Sequence, residues 1–349
     1  TDTDSTDTGG TTASCSNDTP SAHVAAVVDA TDTFLEALTS AQQDEARYDL
    51  TLDNAIVWSN LPVGAVPRNG VAMEDMSAGA LAAALDLAAV AAGDQGGTLL
   101  IELRAADEYL SSVGMGGMGG GYGEGLYYVA IHGEPSTSDP WMLQIGGHHL
   151  AYNFMFNSPC TSATPQFDGA EPMDWTDDDN VDHSPLEGQR GAAIALLAAV
   201  SGYDGAALDG SFGDLVNGPS GMGMGGGDIK YPDNLQYPTG TEGRGVPVSS
   251  LSTAEQALVK TAIEAWVRDT ADPVSSVLLD SYESDAALAE TYVGYSGAAD
   301  LSTSGSYFRI DGPRVWIEAV VQNGVILQPV HFHTLWRDKV ADYGAEFEG

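Results

Sequence analysis

The order of two hydrophobic periodicities along the chain is the feature that most limits its possible folds. One set of segments has apolar residues at three- and four-residue steps, as in amphipathic helices, and another has short β-branched and aromatic runs. The predicted helices are residues 21–46, 77–92, 97–112, 186–201, 252–268 and 285–292. The predicted strands are 126–131, 141–156, 307–314, 315–321 and 325–333, and residues 141–156 are either one long strand or two, with a bend or bulge at Gly146-Gly147. Because helices and strands come in blocks, the pattern predicts an α+β fold. We expect a mostly antiparallel sheet flanked by helices, in a single large domain over residues 21–349.

Residues 1–20 have a composition that cannot form a core. The run from Thr1 to Gly10 consists of Thr, Asp, Ser and Gly, which predicts a flexible acidic stalk. Stalks of this kind follow removed signal peptides in exported bacterial proteins, and the chain begins at Thr1. We therefore expect a secreted, periplasmic or cell-surface protein, with a lipid anchor upstream of residue 1 as one form of attachment. Cys15 and Cys160 are predicted to form one disulfide.

The charge balance argues against two classes of partner. The chain has 50 acidic and 12 basic residues, which gives a formal net charge of −38. Such a surface repels nucleic acid and anionic membranes, so neither is expected as a partner. Solubility, in a saline habitat for example, is the simpler explanation of the acidity. No apolar run reaches about 18 residues, so we predict no membrane-spanning helix. The charge balance does not indicate which substrate the protein acts on.

Two short segments far apart in the sequence hold four of the seven histidines. They are Gly146-Gly147-His148-His149-Leu150 and His331-Phe332-His333. Both have the composition of strands, in which residues two apart point to the same face, so His331 and His333 are predicted to share a face. A third imidazole from a neighbouring strand would complete a three-nitrogen site. Such a site suits a divalent transition metal, with zinc favoured and copper as the alternative.

The third ligand must come from His148 or His149. Adjacent residues face opposite sides of a regular strand, unless a kink at Gly146-Gly147 rotates the chain. His149 is the preferred ligand because its face continues with small and polar residues, and His148 is then a buried hydrogen-bonded neighbour. Both remain candidate metal residues. The alternative is that all four imidazoles only form hydrogen bonds within the core.

Two charged residues are candidate catalytic groups. Glu318 lies between apolar neighbours, where a carboxylate is costly unless it is paired or functional. It is predicted to act as a base for metal-bound water, as a ligand or in a structural salt bridge. The Asn323-Gly324 pair predicts a tight reversal that would place Glu318 opposite residues 328–330. Arg337 follows the second histidine segment and could orient the site or bind a substrate carboxylate.

Several motifs, taken in order, resemble one known family. They include Tyr127-Tyr128-Val129-Ala130-Ile131, Gly147-His148-His149-Leu150, Phe167-Asp168-Gly169-Ala170-Glu171-Pro172 and His331-Phe332-His333-Thr334-Leu335-Trp336-Arg337-Asp338. The chain resembles the bacterial domain of unknown function 3500 family over about residues 22–346. The resemblance implies a secreted or periplasmic single-domain protein and supplies no activity. His132 departs from the family pattern, which has an aromatic residue there.

The sequence therefore supports three functional hypotheses. The first is a zinc-dependent hydrolase with a three-histidine site assisted by Glu318. The second is a copper-dependent oxidoreductase, for which the Met/Gly-rich runs at residues 114–121 and 221–227 would supply soft ligands, although flexible loops explain these runs more simply. The third is a metal- or ligand-binding surface protein without turnover.

Overall fold

The computed structural model describes residues 19–113, 121–216, 235–327 and 330–347. The helices are α1 (Ser21–Ala37), α2 (Ser40–Ala46), α3 (Leu52–Ala55), α4 (Ala78–Val113), α5 (Glu187–Val200), α6 (Thr253–Val267), α7 (Asp272–Tyr282), α8 (Asp285–Ala289) and α9 (Tyr343–Phe347). At the start of α6 the Ser252 side chain accepts a hydrogen bond from the backbone N–H of Glu255, whose own side chain accepts one from the Ser252 N–H. This arrangement is a capping box, and it sets the first turn of the helix.

Helix boundaries depart from the prediction where the backbone leaves helical geometry. The predicted helix over residues 21–46 divides into α1 and α2, because Leu38 is extended and Thr39 caps α2. The two helices predicted over 77–92 and 97–112 are the two parts of α4, which are separated by non-helical backbone at Gly93, where φ is +74°. Glycine adopts that backbone conformation without a Cβ clash.

The strands form one large, mostly antiparallel sheet, as predicted. They are β1 (Arg47–Tyr48), β2 (Val71–Ala72), β3 (Tyr128–His132), β4 (Trp141–Gly146), β5 (Leu150–Asn157), β6 (Cys160–Ser162), β7 (Gln166–Ala170), β8 (Trp175–Thr176), β9 (Asp182–His183), β10 (Val246–Pro247), β11 (Tyr292–Ser296), β12 (Tyr307–Asp311), β13 (Val315–Asn323) and β14 (Val330–Asp338). The order across the sheet is β1-β3-β4-β5-β7-β14-β13-β12-β11-β10, with β2 beside β3 and β6 beside β5. β8 and β9 pair separately. This order brings β7 between β5 and β14.

The long helices cover one face of the sheet and form the main core with it. Phe332 and Ile317 belong to this core together with Trp266 of α6 and Leu100 of α4. The Trp266 indole N–H also donates a hydrogen bond to the Thr334 hydroxyl, 2.7 Å away. The opposite face is covered by connecting segments, which contribute Trp58, Leu208 and Leu215 to a smaller cluster with Phe167, Val320 and Leu335. The observed architecture is therefore α+β, as predicted.

Two local predictions about the strands are wrong. His148 and His149 lie in the bend between β4 and β5, outside both strands, because the chain reverses there with the Gly147 N–H bonded to the Leu150 carbonyl at 3.0 Å. The predicted register of Glu318 also fails, since it pairs with Leu335 rather than with residues 328–330. Residues 324–329 separate β13 from β14, so the reversal is longer than a two-residue Asn-Gly turn.

Several predicted features lie outside the described residues. They are most of the acidic stalk, Cys15, residues 114–120 of the first Met/Gly-rich run and the whole of the second run. The Cys15–Cys160 disulfide therefore stays a prediction, although the Thr19 N–H donates to the Pro159 carbonyl at 2.8 Å and brings the two chain segments together. Among the described helices, none combines the length and the apolar character needed to cross a membrane.

Candidate metal centre

Strand β14 places two imidazoles on the face of the sheet away from the long helices. His331 and His333 pair with Gln322 and Val320 of β13, and Phe332 between them points into the helix-covered core. Both histidines are buried. The predicted common face of His331 and His333 is confirmed, because alternate residues of a regular strand point the same way.

The turn between β4 and β5 supplies two more imidazoles, and glycine makes this turn possible. A Cβ on Gly147 would lie 2.7 Å from the Tyr127 ring, closer than a side chain can approach. The Arg68 guanidinium holds the turn from outside by donating to the Gly147 carbonyl at 2.7 and 3.1 Å. The rings of His148 and His149 then lie side by side, with centroids 3.6 Å apart and planes 25° apart. Adjacent residues share one side here because they stand in a bend.

Strand β7 provides the surface on which the imidazoles meet. Gly169 pairs with His333 in the sheet, and its N–H donates to the His149 carbonyl at 2.9 Å. A Cβ at this position would lie 2.8 Å from Cδ2 of His149 and 2.9 Å from Cδ2 of His333. The absence of a side chain at Gly169 therefore allows imidazoles from two separate chain segments to approach each other.

Three of the imidazoles form a compact donor set. One ring nitrogen from each of His149, His331 and His333 lies within 4.8 Å of the other two, so this triad could bind a metal ion. Nε2 of His149 is 3.3 Å from Nε2 of His333. The ring centroids of His331 and His333 are 4.5 Å apart, and those of His149 and His331 are 6.1 Å apart. Three nitrogen donors with such spacing are typical of transition-metal sites.

The surroundings keep the donor nitrogens available. Burial lowers the pKa of His149 and of His333 well below the usual range, and neighbouring imidazoles lower both further. Burial also lowers the pKa of His331, although the Glu171 carboxylate and the Asn323 carbonyl oppose this effect. Neutral imidazoles are the form that binds metal. Nδ1 of His331 lies 2.8 Å from the Asn323 carbonyl, so it carries the proton and leaves Nε2 as the donor atom.

His148 has a different environment from the triad. Its Nδ1 is 2.9 Å from Oδ1 of Asp107, a buried carboxylate on α4. The Tyr122 ring meets the His148 ring edge-on at 4.9 Å. A carboxylate that holds one ring nitrogen of a histidine is a common device for orienting metal-site imidazoles. Sequence reasoning missed Asp107, since nothing in the periodicity of α4 distinguishes it from the other acidic residues.

A second acidic residue near the cluster was also missed. Oε1 of Glu171 accepts hydrogen bonds from the backbone N–H groups of Ile326 and Leu327, at 2.7 and 2.6 Å. Glu171 is buried, and its charge raises the pKa of His331 against the effect of burial. It therefore ties the segment before β14 to the end of β7. Glu171 could have been noticed in the sequence, because it lies two residues after Gly169 in one of the motifs that resemble the family.

The predicted catalytic residues have other partners. Oε2 of Glu318 accepts hydrogen bonds from the Tyr307 hydroxyl at 2.8 Å and the Val216 N–H at 2.7 Å. Glu318 lies on the same face as His333 but on the neighbouring strand β13, opposite Leu335. Leu335 is two residues, or about 7 Å, from His333 along β14. Arg337 is fully buried and donates to Asp342 at 2.6 Å, roughly 13 Å along β14 from His333. Neither belongs to the donor set of described residues, and their catalytic roles stay predictions.

Comparison with known proteins places the chain in a family without assigning an activity. The model of the family described as "Protein of unknown function (DUF3500)" matches residues 20–345, nearly the whole chain. The chain therefore belongs to this family. No curated protein and no solved structure matches it. Any function must consequently be argued from the site itself.

Proposed function

We propose that His149, His331 and His333 bind a zinc ion and that the protein is a zinc-dependent hydrolase. The observation that supports this most directly is the 3.3 Å separation between the Nε2 atoms of His149 and His333. Zinc–nitrogen bonds are about 2.0–2.1 Å, and tetrahedral geometry then puts two ligand nitrogens about 3.3–3.4 Å apart. The two imidazoles already have the separation that a shared tetrahedral ion requires.

The number and chemistry of the donors favour a catalytic site over a purely structural one. Structural zinc sites are closed by four protein ligands, whereas catalytic sites have three and leave one position for water. The triad supplies three imidazoles from the described part of the chain. When bound, a zinc ion supplies Lewis acidity and lowers the pKa of a coordinated water to about 7.

The protein groups around the triad would orient the ligands and limit their contact with bulk solvent. The Asn323 carbonyl fixes the proton of His331 on Nδ1, and Gly169 lets His149 and His333 converge. All three rings are at most 4% exposed, so electrostatic interactions in the site are only weakly screened by solvent. Glu171 and Glu318 are the two candidate proton acceptors. The charge of Glu171 raises the pKa of His331, and Glu318 lies on the same face of the sheet as His333.

Metal analysis of protein purified without added metal tests the proposal. We expect about one equivalent of zinc per chain at the triad, and its loss in His149→Ala, His331→Ala and His333→Ala variants. His183→Ala is the matched control, because His183 pairs with Glu102 and Asp177 away from the triad. A hydrolysis screen of chromogenic esters and peptides then tests turnover. Copper in place of zinc would replace the hydrolase proposal by an oxidoreductase, and full metal content in all three variants would refute the site.

A further inference from the structure

A second group of donor atoms adjoins the triad. One ligand atom from each of Asp107, His148 and His149 lies within 4.8 Å of the other two, and all three residues are buried. Oδ1 of Asp107 and Nδ1 of His148 are 2.9 Å apart. Ligands about 2.0–2.2 Å from one tetrahedral zinc ion lie about 3.3–3.6 Å apart. The present 2.9 Å contact is that of a hydrogen-bonded pair, and a separation of a few tenths of an ångström more would let the two groups share an ion.

One oxygen of the Asp107 carboxylate has no hydrogen-bond partner among the described residues. This oxygen is Oδ2, and it is buried. The Tyr127 hydroxyl lies close to Asp107, since burial, the charge of Asp107 and a side-chain interaction with that carboxylate all raise the Tyr127 pKa, but the hydroxyl donates its hydrogen bond to the Leu103 carbonyl at 3.1 Å. The Arg68 and Arg104 guanidinium groups donate to backbone carbonyls. Burying a carboxylate oxygen without a partner is costly, and a cation would remove this cost.

His149 would serve both groups as an imidazolate, with one ring nitrogen for each ion and the N–H proton released to solvent when the second ion binds. Its Nε2 lies 3.3 Å from Nε2 of His333, which leaves Nδ1 as the atom for the second group. The His148 and His149 rings are stacked, with centroids 3.6 Å apart and planes 25° apart. Metal–nitrogen bonds lie in the ring plane, so both rings must turn out of this stack before one ion can bind a nitrogen of each.

From these contacts we propose that Asp107, His148 and His149 form a second position for a divalent transition metal, and that the cluster holds two ions sharing His149. One carboxylate then lies near each end of the imidazole row, Asp107 beside His148 and Glu171 near His331. These negative charges offset the repulsion between two cations. The inference rests on the proposed zinc triad, because His149 belongs to both positions.

Zinc titration of the metal-stripped full chain, with bound zinc measured after equilibrium dialysis, tests the inference. We expect two equivalents for the unmodified protein and one for Asp107→Asn, which keeps an oxygen for the His148 hydrogen bond but loses the charge. His331→Ala should retain one equivalent at the second position. Asp177→Asn is the control, since it removes a carboxylate that pairs with His183, and it should bind two.

The outcomes separate this inference from the proposed function. One equivalent in the unmodified protein overturns the second position and leaves the triad standing, with Asp107 then only orienting His148. Two equivalents in Asp107→Asn also overturn the second position. No bound zinc at all refutes both proposals. The count for the unmodified protein decides the inference even if a variant fails to fold. In protein loaded with copper(II), two ions sharing an imidazole couple magnetically, so the EPR signal per copper should be weaker than in Asp107→Asn.

Discussion

Gly169→Ala tests the geometry of the triad without removing a ligand. The new Cβ would lie 2.8 Å from Cδ2 of His149, 2.9 Å from Cδ2 of His333 and 3.1 Å from Cγ of His149. Carbon atoms pack at about 3.5–4.0 Å, so each ring must retreat by roughly 0.6 Å or more. The backbone of Gly169 has no left-handed φ, so the clash with the rings is the dominant cost of the substitution.

A displacement of that size should weaken metal binding strongly. Metal–ligand distances in proteins hold to about ±0.2 Å, so a shift of roughly 0.6 Å breaks the shared coordination. We expect the zinc dissociation constant to rise at least about 10-fold, equivalent to about 1.4 kcal/mol. Without metal, overpacking should lower the free energy of unfolding by about 1–3 kcal/mol.

Competition with a chromogenic zinc chelator measures the affinity, and urea unfolding in EDTA measures the metal-free stability. Gly188→Ala is the matched control, since nothing lies within 4 Å of its added Cβ, and it should change neither zinc affinity nor site geometry. Unchanged zinc affinity in Gly169→Ala would refute the reasoning, because the ion would then not require His149 and His333 to meet over Gly169.

Three further predictions follow from individual residues. Burial lowers the pKa of His132 to about 4, so between pH 6.5 and 4 only the unfolded state is protonated there, and stability is lost as the pH falls. The free energy of unfolding should therefore fall less between pH 7 and pH 5 in His132→Phe than in the unmodified protein, by about 2 kcal/mol. Urea unfolding at both pH values measures this difference, and an unchanged pH dependence would contradict the prediction. If Glu318 is a catalytic base, Glu318→Gln should retain zinc but lower turnover by about 100-fold. Loss of thermal stability with full activity would instead show that Glu318 has a structural role through its hydrogen bonds with Tyr307 and Val216. Thiol labelling of denatured, unreduced protein should find no free thiol if Cys15 and Cys160 are bonded, and two reactive thiols would disprove the disulfide.

Local pattern was sufficient to predict the class of fold and half of the site. Period-two alternation in a strand determines which side chains share a face, so His331 and His333 could be paired from sequence alone. Side-chain capping is equally local, because Ser252 and Glu255 are only three residues apart and form the capping box that begins α6. The block order of helices and strands likewise predicted an α+β architecture with a mostly antiparallel sheet.

Only the tertiary structure decided which distant residues meet this pair. Glu318 pairs with Leu335 because residues 324–329 connect β13 to β14. A two-residue Asn-Gly turn would have placed Glu318 opposite a different residue. The bend after β4 turned His148 and His149 to the same side, where a regular strand would have separated them. Asp107 reaches His148 from a helix 41 residues earlier, and Gly169 admits the rings from a third strand. Contacts of this kind depend on how whole elements pack, and no local periodicity encodes that packing.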